Sequence, residues 1–429
     1  MRLAWPPACS SSPRPAASTL SLATSRLDLD WGQHFSKDET MKKTAKILMA
    51  SVAISAAMLA TPMMALAQDN PAQSATENPA PRAKNVILFL ADASGVAALN
   101  AASLMAYNEP MKLSIQSWPH LGLSETSPVD NFVSDSANGM SSIVTGVKTR
   151  NGVISQGPDV IRGQRDGTPT KTLLEYAEER GLLTGVVSSQ SIADATPAAN
   201  YAHSNDRGKQ GEIFMQAFTP RFGDGVDVLL GAGRQRIGGL LTEAGTSFEA
   251  LANAHNRPVY RSLEDAAANN SRPIVVADRI DVRAATLRAL DLLEQSEQGY
   301  LLVVEWDAHT DDVRKGLQNI VDFDRLMAEI AGRVDLNETL LIFTSDHSFG
   351  VQVDGGKRGQ DLMAGYDAWK ASGSDADLVR LENVLVNRTH TAEEVPTLAI
   401  GRGAEQVRGY FPNTHLFDVV MNSWGWKSN

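Results

Sequence analysis

The segment NVILFLAD, residues 85–92, is an apolar run that ends in an aspartate. A continuous apolar run of this length is typical of a β-strand that is covered on both faces. Similar runs follow at Leu183–Ser188, Val226–Gly231, Tyr300–Glu305, Thr339–Ser345 and Val395–Ile400. Helical patterns lie between them at Thr172–Arg180, Ala284–Gln295 and Gly316–Ile330. This alternation predicts an α/β fold, a three-layer sandwich with a central, largely parallel sheet flanked by helices.

The composition is that of a globular protein and excludes several functional classes. The 429 residues are 43% apolar and 21% charged, which is within the usual range for folded domains. The formal net charge of -11 argues against nucleic-acid binding, because that function needs a surface rich in Lys and Arg. The single cysteine, Cys9, excludes a disulfide scaffold within the chain and a cysteine-rich zinc site.

The N-terminal part of the chain resembles a secretory leader. Residues 41–67 begin with Met-Lys-Lys, continue with an apolar stretch and end in small residues. The apolar stretch is short and interrupted, so we expect no stable membrane insertion and a periplasmic or secreted protein. Residues 1–40 show no periodic pattern, and we interpret them as a misassigned start or an unusual extension upstream of the true initiator, Met41. Residues 68–84 are expected to form a flexible linker, and residues 85–429 a single catalytic domain.

Polar residues that can hold metal ions follow several of the predicted strands. A single aspartate there is most often a helix cap, and an Asp-His pair alone suits a loop contact as well as a ligand pair. In an open α/β sheet, however, ligands bind beyond the carboxyl ends of the strands, so several such ends together favour a polynuclear metal site. Carboxylate and imidazole groups suit zinc, whereas carboxylate and hydroxyl oxygens suit magnesium. These residues are Asp92, Asp194, Thr196, Glu305, Asp307, His309, Asp311, Asp346 and His347.

A candidate nucleophile lies in the segment VSDSANGM, residues 133–140. Small residues surround Ser136 just before a stretch with a helical pattern that ends near Gly146. At a helix N-terminus, backbone N–H groups and the helix dipole favour an alkoxide or a phosphate group. The alternative is an ordinary Asp/Ser helix cap. Because no Ser-His-Asp triad is evident, metal coordination is the expected means of activating the hydroxyl.

Taken together, these motifs resemble the alkaline phosphatase family from Asn85 to Trp426, in the order that the family has them. The resemblance implies an alkaline-phosphatase-like fold and hydrolysis of small-molecule phosphate monoesters through a phosphoserine. The matching segments are 85–92, 135–137 with 145–149, 194–199 with His203 and Arg207, 226–234, 304–305, 344–348 and 390–391.

The resemblance also implies a role for each matching residue. Ser136 would attack phosphorus, and Arg207 would clamp two phosphoryl oxygens in a bidentate geometry that lysine cannot reproduce. A Zn²⁺ ion would activate Ser136, a Mg²⁺ ion would lie beside it, and His390 would ligate a second Zn²⁺ ion that activates water. The implied ligands are Asp92, Asp346 and His347 for the first zinc and Asp92, Thr196 and Glu305 for magnesium, with Asp194 acting on magnesium through water.

One segment departs from the family pattern. In the family, an aspartate five residues after the glutamate and a histidine four residues further on both ligate the second zinc, but this chain has Thr310 and Arg314 there. Asp307, His309 or Asp311 could replace the missing ligands from a tighter loop. The alternative is that this metal is absent or weakly held.

Other functions remain open on the sequence alone. A phosphodiesterase of the same superfamily and a non-catalytic phosphate- or metal-binding protein are both compatible with the composition. A sulfatase is disfavoured because residues 136–138 lack the Cys/Ser-x-Pro-x-Arg pattern, and dinucleotide binding is disfavoured because Arg236 occupies the position of the third glycine after Gly231 and Gly233. Members of the family are often dimers, which suggests a homodimer.

Overall fold

The structure is a computed structural model that describes residues 82–266 and 271–427. The predicted extension, the predicted leader and the linker up to residue 81 lie outside the described residues. Among the described residues, no helix is both long enough and apolar enough to span a bilayer.

Strands of the described part form a ten-stranded sheet and a three-stranded sheet. The large sheet has the order β13-β2-β12-β8-β1-β7-β3-β4-β6-β5, and the small one has the order β10-β11-β9. The strands are β1 (Asn85–Asp92), β2 (His120–Glu125), β3 (Leu183–Ser191), β4 (Val228–Ala232), β5 (Val259–Tyr260), β6 (Ile274–Val276), β7 (Tyr300–Asp307), β8 (Thr339–Thr344), β9 (Ser348–Val353), β10 (Leu378–Arg380), β11 (Val384–Thr391), β12 (Val395–Gly401) and β13 (Gly409–Pro412).

Helices cover both faces of the large sheet. They are α1 (Val96–Tyr107), α2 (Ser136–Thr145), α3 (Leu173–Glu178), α4 (Ala195–Tyr201), α5 (Gln210–Met215), α6 (Arg234–Glu243), α7 (Phe248–His255), α8 (Val282–Leu293), α9 (Val313–Arg333), α10 (Tyr366–Ser372) and α11 (His415–Trp424). Side chains of α1, α8 and α9 enter one apolar core, and side chains of α2 to α7 and α11 enter the other. The three predicted helices correspond to α3, α8 and α9.

Strand β1 shows why the predicted runs are continuously apolar. Its alternate residues Val86, Leu88 and Leu90 belong to one core, whereas the residues between them belong to the core on the opposite face. Side chains alternate along a strand, so a strand between two helical layers needs apolar residues at every position. The three-layer architecture predicted from the sequence is therefore confirmed.

The sheet is mostly parallel, as predicted. Strand β1 pairs in parallel with β7 and β8, and β3 pairs in parallel with β4 and β7. Strand β12 is the exception, because it is antiparallel to both β2 and β8. All six predicted strands form, at β1, β3, β4, β7, β8 and β12.

Several strands were not predicted from the sequence. Strands β2, β9, β10 and β11 mix buried residues with half-buried or exposed ones, so none of them reads as a continuous apolar run. Three of these strands form the small sheet. A strand with one open face has a weaker pattern of apolar residues. These strands are therefore identified by their pairing with partner strands rather than by their own sequence.

Candidate functional site

The carboxyl ends of neighbouring strands bring the predicted polar residues to one edge of the sheet. Asp92 is the last residue of β1, Glu305 lies near the end of the adjacent β7, and Asp346-His347 follow β8 on the other side. The register places Leu90 of β1 between Glu305 and Thr344, so these three strands end at nearly the same level. Asp92, Glu305, Asp346 and His347 are all buried. This is where an α/β sheet binds its ligands.

Ser136 enters this edge as the first residue of α2. The side chain of Asp135 caps the helix by accepting a hydrogen bond from the backbone N–H of Asn138 at 3.0 Å. The Oγ atom of Ser136 lies 3.3 Å from Nε2 of His347, and the side chain is buried. Asp135 therefore provides the helix cap, and the hydroxyl of the adjacent Ser136 contacts His347.

Two glycines allow close approaches that build the site. A Cβ atom at Gly139 of α2 would lie 2.3 Å from the carbonyl oxygen of Asp346, so a side chain there would push the helix away from the site. A Cβ atom at Gly316 of α9 would lie 2.2 Å from the carbonyl oxygen of His309. Real Cβ atoms do not come this close to backbone oxygens, so glycine is required at both contacts.

One group of potential metal ligands consists of Asp92, Asp346 and His347. One ligand atom from each of the three residues lies within 4.8 Å of the others. Nε2 of His347 is 3.4 Å from Oδ1 of Asp92 and 3.7 Å from Oδ2 of Asp346. The structure thus brings together the residues that the sequence assigned to the first zinc, next to the hydroxyl of Ser136.

A second group consists of His309, His347 and His390, whose ligand atoms also lie within 4.8 Å of one another. The rings of His347 and His390 stack with their centroids 3.8 Å apart, and the ring of His309 is 5.7 Å from each. His390 comes from β11, next to a register irregularity between Asn387 and His390. This small-sheet strand, which the sequence patterns missed, therefore delivers a site residue.

Each of these three histidines has an oxygen partner for Nδ1. The partners are the carbonyl oxygen of Ser134 for His390 at 2.9 Å, that of Ser348 for His347 at 3.1 Å, and Oδ1 of Asp307 for His309 at 3.0 Å. A carbonyl or carboxylate oxygen accepts a hydrogen bond from Nδ1–H, which leaves the lone pair of Nε2 for a metal ion.

The structure distinguishes among the three replacement ligands predicted for the altered segment. His309 belongs to the histidine group, and Asp307 stands behind it as its hydrogen-bond partner. Asp307 is also 3.6 Å from Nζ of Lys315. Asp311 is exposed on the short 3-10 turn 310–312 and belongs to neither group of ligands among the described residues.

Glu305, Thr196 and Asp194 surround the remaining part of the site. Glu305 is buried, and one of its carboxylate oxygens accepts a short hydrogen bond from the hydroxyl of Ser188. Thr196, at the start of α4, donates to Oδ2 of Asp346 at 3.5 Å. Ser188 was missed as a site residue, although it ends one of the predicted strands and occupies the same sheet edge.

The site concentrates more negative charge than a buried region can hold without cations. Burial and the nearby Asp346 and Glu305 carboxylates raise the pKa of Asp92 well above its usual value. Burial, opposed by the bond from Ser188 but reinforced by neighbouring carboxylates, raises the pKa of Glu305 to about 8. Burial lowers the pKa of His347 to about 4, so its ring is neutral at physiological pH and able to bind a metal.

Two carboxylate oxygens without a hydrogen-bond partner in the described part of the chain also indicate a cation site. Oδ1 of Asp92 and Oε1 of Glu305 are buried and have no hydrogen-bond partner among the described residues. Leaving a buried carboxylate oxygen without a partner is costly, and coordination to a cation would satisfy it. The donor set therefore fits divalent cations.

Arg207 faces the site from the loop that follows α4. Its guanidinium donates to Oδ2 of Asp135 at 3.3 Å and to Oδ1 of Asp194 at 3.2 Å, and the side chain remains 24% exposed. Asp194 also accepts a hydrogen bond from Nε2 of Gln210 at 3.2 Å. Arg207 is thus held between two carboxylates, one of which precedes Ser136 directly, and part of its surface is open to a ligand.

Two family models match the chain. The model of the alkaline phosphatase family matches residues 83–270, and that of the metalloenzyme superfamily matches residues 254–420. The two matches together span nearly all of the described residues and include every candidate ligand. The chain belongs to the alkaline phosphatase superfamily.

Relatives in this superfamily extend over most of the chain. Streptomycin-6-phosphate phosphatase of Streptomyces griseus is 29% identical over 86% of this chain and 97% of its own length. The crystal structure of Thermus thermophilus alkaline phosphatase, at 22% identity, covers 85% of this chain and 97% of that chain with a TM-score of 0.68. A mutant of the TAB5 alkaline phosphatase with magnesium bound is 25% identical and covers 81% of this chain and 100% of that chain with a TM-score of 0.64. The comparisons support a phosphatase-type hydrolase that binds metal ions.

Proposed function

We propose that this superfamily member is a metal-dependent phosphomonoesterase that acts through a phosphoserine at Ser136. The proposal rests on the position of the Ser136 hydroxyl. It lies 3.3 Å from Nε2 of His347, which belongs to both groups of potential metal ligands, and Arg207 bonds to the adjacent Asp135. Phosphatases among the relatives, at 25–29% identity, support the same reaction class.

The residues of the chain account for the transfer step. Oγ of Ser136 forms the new bond to phosphorus, and the bond from phosphorus to the leaving alkoxide breaks, which gives a phosphoserine. Hydrolysis then breaks the bond between phosphorus and Oγ, returns the serine and releases inorganic phosphate. The transition state spreads negative charge over the phosphoryl oxygens, and Arg207 and the N-terminus of α2 supply positive charge to stabilise it.

Two Zn²⁺ ions and one Mg²⁺ ion suit the donor groups. Asp92, Asp346 and His347 would hold the zinc next to Ser136, and His309, with His390, would hold the other zinc, oriented by Asp307. Magnesium would be held by the oxygens of Asp92, Thr196 and Glu305. When bound, these cations supply Lewis-acid charge to the phosphoryl, attacking and leaving oxygens.

The cellular setting of the protein is also part of the proposal. The leader-like residues 41–67 support a periplasmic or secreted enzyme, with residues 85–429 as a single catalytic domain. The substrates would be small phosphate monoesters, and the resemblance to a family of frequent dimers supports a homodimer. Nucleic acid is not an expected partner, because the chain carries a net charge of -11.

A comparison of two esters tests the function. The purified, metal-loaded protein is assayed with a monoester and a diester of p-nitrophenol. A monoester leaves two oxygens for Arg207 to contact, whereas a diester places an ester group there, so we expect faster release from the monoester. Faster hydrolysis of the diester would favour the phosphodiesterase alternative, and phosphate binding without turnover of either ester would favour a binding protein.

A further inference from the structure

A buried pair of ionisable residues, His203 and Glu175, lies behind the loop that carries Arg207. Their side chains are 1% and 2% exposed, and Nε2 of His203 lies 2.8 Å from Oε1 of Glu175. Nδ1 of His203 lies 2.7 Å from the carbonyl oxygen of Ser155. The ring of Phe222 packs edge-on against the imidazole at 5.6 Å and shields it. None of these groups belongs to the ligand groups described above.

The contacts of His203 show that Nδ1 is a donor and that Nε2 is paired with Glu175. A carbonyl oxygen only accepts, so Nδ1 carries a proton that is donated to Ser155. Nε2 and the carboxylate oxygen of Glu175 then share one further proton, whichever of the two atoms holds it. The second oxygen of Glu175 accepts from the backbone N–H of Thr172 at 2.8 Å. The pair is therefore a fully satisfied buried link between α3 and the loop, and satisfied buried networks specify a rigid arrangement.

Further bonds tie the backbone of the same loop to its surroundings. The amide side chain of Gln216 accepts from the backbone N–H of His203 at 2.9 Å and donates to its carbonyl oxygen at 3.1 Å. Ser204 exchanges two backbone hydrogen bonds with Ile154, and the N–H of Arg207 donates to the carbonyl oxygen of Gly152 at 2.8 Å. The loop is thus held against the segment that follows the nucleophile helix α2.

These contacts hold the backbone from which the guanidinium of Arg207 extends. The guanidinium reaches Asp135 and Asp194 only if the backbone of Arg207 is held at one position. Asp135 directly precedes Ser136. Misplacement of a binding group by about 1 Å weakens a bidentate contact strongly. We propose that the His203–Glu175 pair is a positioning device that holds Arg207 at the correct distance from Ser136 for binding a phosphoryl group. This inference rests on the proposed phosphatase function.

Substitutions at the pair test the proposal through phosphate affinity. His203→Asn retains a donor for the carbonyl oxygen of Ser155 but loses the bond to Glu175, and we expect the inhibition constant for inorganic phosphate to rise about tenfold. Glu175→Gln can donate its amide N–H to Nε2 of a neutral His203, so this conservative variant is expected to stay within about twofold of the unmodified protein. If His203→Asn does not fold, Glu175→Ala, which removes the same bond from the side of α3, replaces it.

Glu178→Gln is the matched control. Glu178 is a buried carboxylate one turn further along α3, and it accepts from the backbone N–H of Gly225 at 3.0 Å and from Thr184 at 3.2 Å rather than from the Arg207 loop. Its substitution perturbs the same helix, and we expect no change in phosphate inhibition. An increase equal to that of His203→Asn would show that general disturbance of α3 is responsible and would overturn the proposal.

A double-mutant cycle with Arg207→Ala separates positioning from a general structural role. If His203 acts through Arg207, then His203→Asn has no further effect on the phosphate inhibition constant once Arg207 is alanine. An undiminished effect in that background, or an unchanged constant in the single variant, would overturn the inference. The proposed function fails in a different way, because then the unmodified, metal-loaded protein itself would not hydrolyse a monoester.

Discussion

Oγ of Ser136 lies 3.3 Å from Nε2 of His347, although the two residues are separated by 211 positions in the sequence. The contact joins the N-terminus of α2 to the Asp346-His347 segment that follows β8. It requires Gly139, whose missing side chain lets the helix approach the backbone of Asp346. The Ser136 hydroxyl, which we propose as the nucleophile, is thereby placed next to a potential metal ligand.

Replacing the nucleophile is expected to remove activity without unfolding the protein. Ser136→Ala deletes one buried hydroxyl, and we expect monoester hydrolysis to fall by at least about 10³-fold, because the group proposed to form the phosphoenzyme is lost. Circular dichroism and thermal unfolding check the fold. Ser142→Ala, on the same buried helix, is the control and should retain activity. Substantial turnover in Ser136→Ala would refute the phosphoserine mechanism.

Arg207→Lys is expected to lower kcat/KM by roughly 10- to 100-fold. Lysine keeps the charge but cannot make two parallel contacts with phosphoryl oxygens or span Asp135 and Asp194 as the guanidinium does. Steady-state kinetics with a monoester and inhibition by inorganic phosphate provide the measurement. Arg165→Lys, at an exposed arginine on a neighbouring loop, should have little effect. Equal losses in both variants would contradict a specific role for Arg207.

His309→Ala is expected to reduce the metal content by about one ion per chain. Three side chains of the altered segment are the predicted replacement ligands, but the structure places only His309 in the histidine group. Asp307→Asn replaces the charged acceptor that orients His309 with a weaker amide oxygen and should weaken metal binding about 10- to 100-fold. Elemental analysis gives the metal count. Asp311→Asn is the control, and a loss of metal in that variant but not in His309→Ala would reverse the assignment.

Removal of cations is expected to abolish activity and to lower thermal stability. Without them, Asp92, Glu305 and Asp346 are crowded in a buried region, as the raised pKa values of Asp92 and Glu305 show. Exhaustive chelation followed by activity assays and thermal unfolding tests this, and zinc with magnesium should restore both properties. A cation at 100 times its dissociation constant stabilises the fold by about 2.7 kcal/mol. Full activity after verified removal of metals would contradict metal dependence.

Glu178 is expected to make the protein less stable as pH rises through neutrality. Burial raises its pKa to about 8, although bonds from Gly225 and Thr184 oppose the shift. The folded state therefore holds a proton that the unfolded state has released between about pH 4.5 and pH 8, and the free energy of unfolding falls as pH rises across this range. Glu178→Gln removes the titrating group.

Denaturant unfolding of this variant and of the unmodified protein, between pH 5 and pH 9, measures the difference. The decline in stability with pH should be smaller in Glu178→Gln than in the unmodified protein. Identical pH profiles would show that Glu178 does not titrate in this range. Glu329→Gln, at a surface residue paired with Arg283, controls for loss of a carboxylate.

The alternation of buried strands and helices was predictable, because β1, β3, β7 and β8 lie between two helical layers and must be apolar on both faces. The small sheet was not predictable in the same way. In β11, burial is confined to part of the strand, and His390 lies beside an irregularity in its pairing with β9. The position of His390 thus depends on a partner strand that is distant in the sequence.

The amino-acid sequence by itself determined the layered fold, the sheet edge at which Asp92, Glu305 and Asp346 gather, and the position of Ser136 at a helix start. These properties follow from the periodicity of apolar residues and from the polar residues at strand ends. Both signals are local, so they can be identified within a single segment of the sequence. Only the tertiary structure decided that His309 joins the histidine group, with Asp307 behind it and Asp311 outside. Asp307, His309 and Asp311 lie in one short segment, and each is a possible metal ligand by residue type. The direction of each side chain depends on packing against α9 and β11.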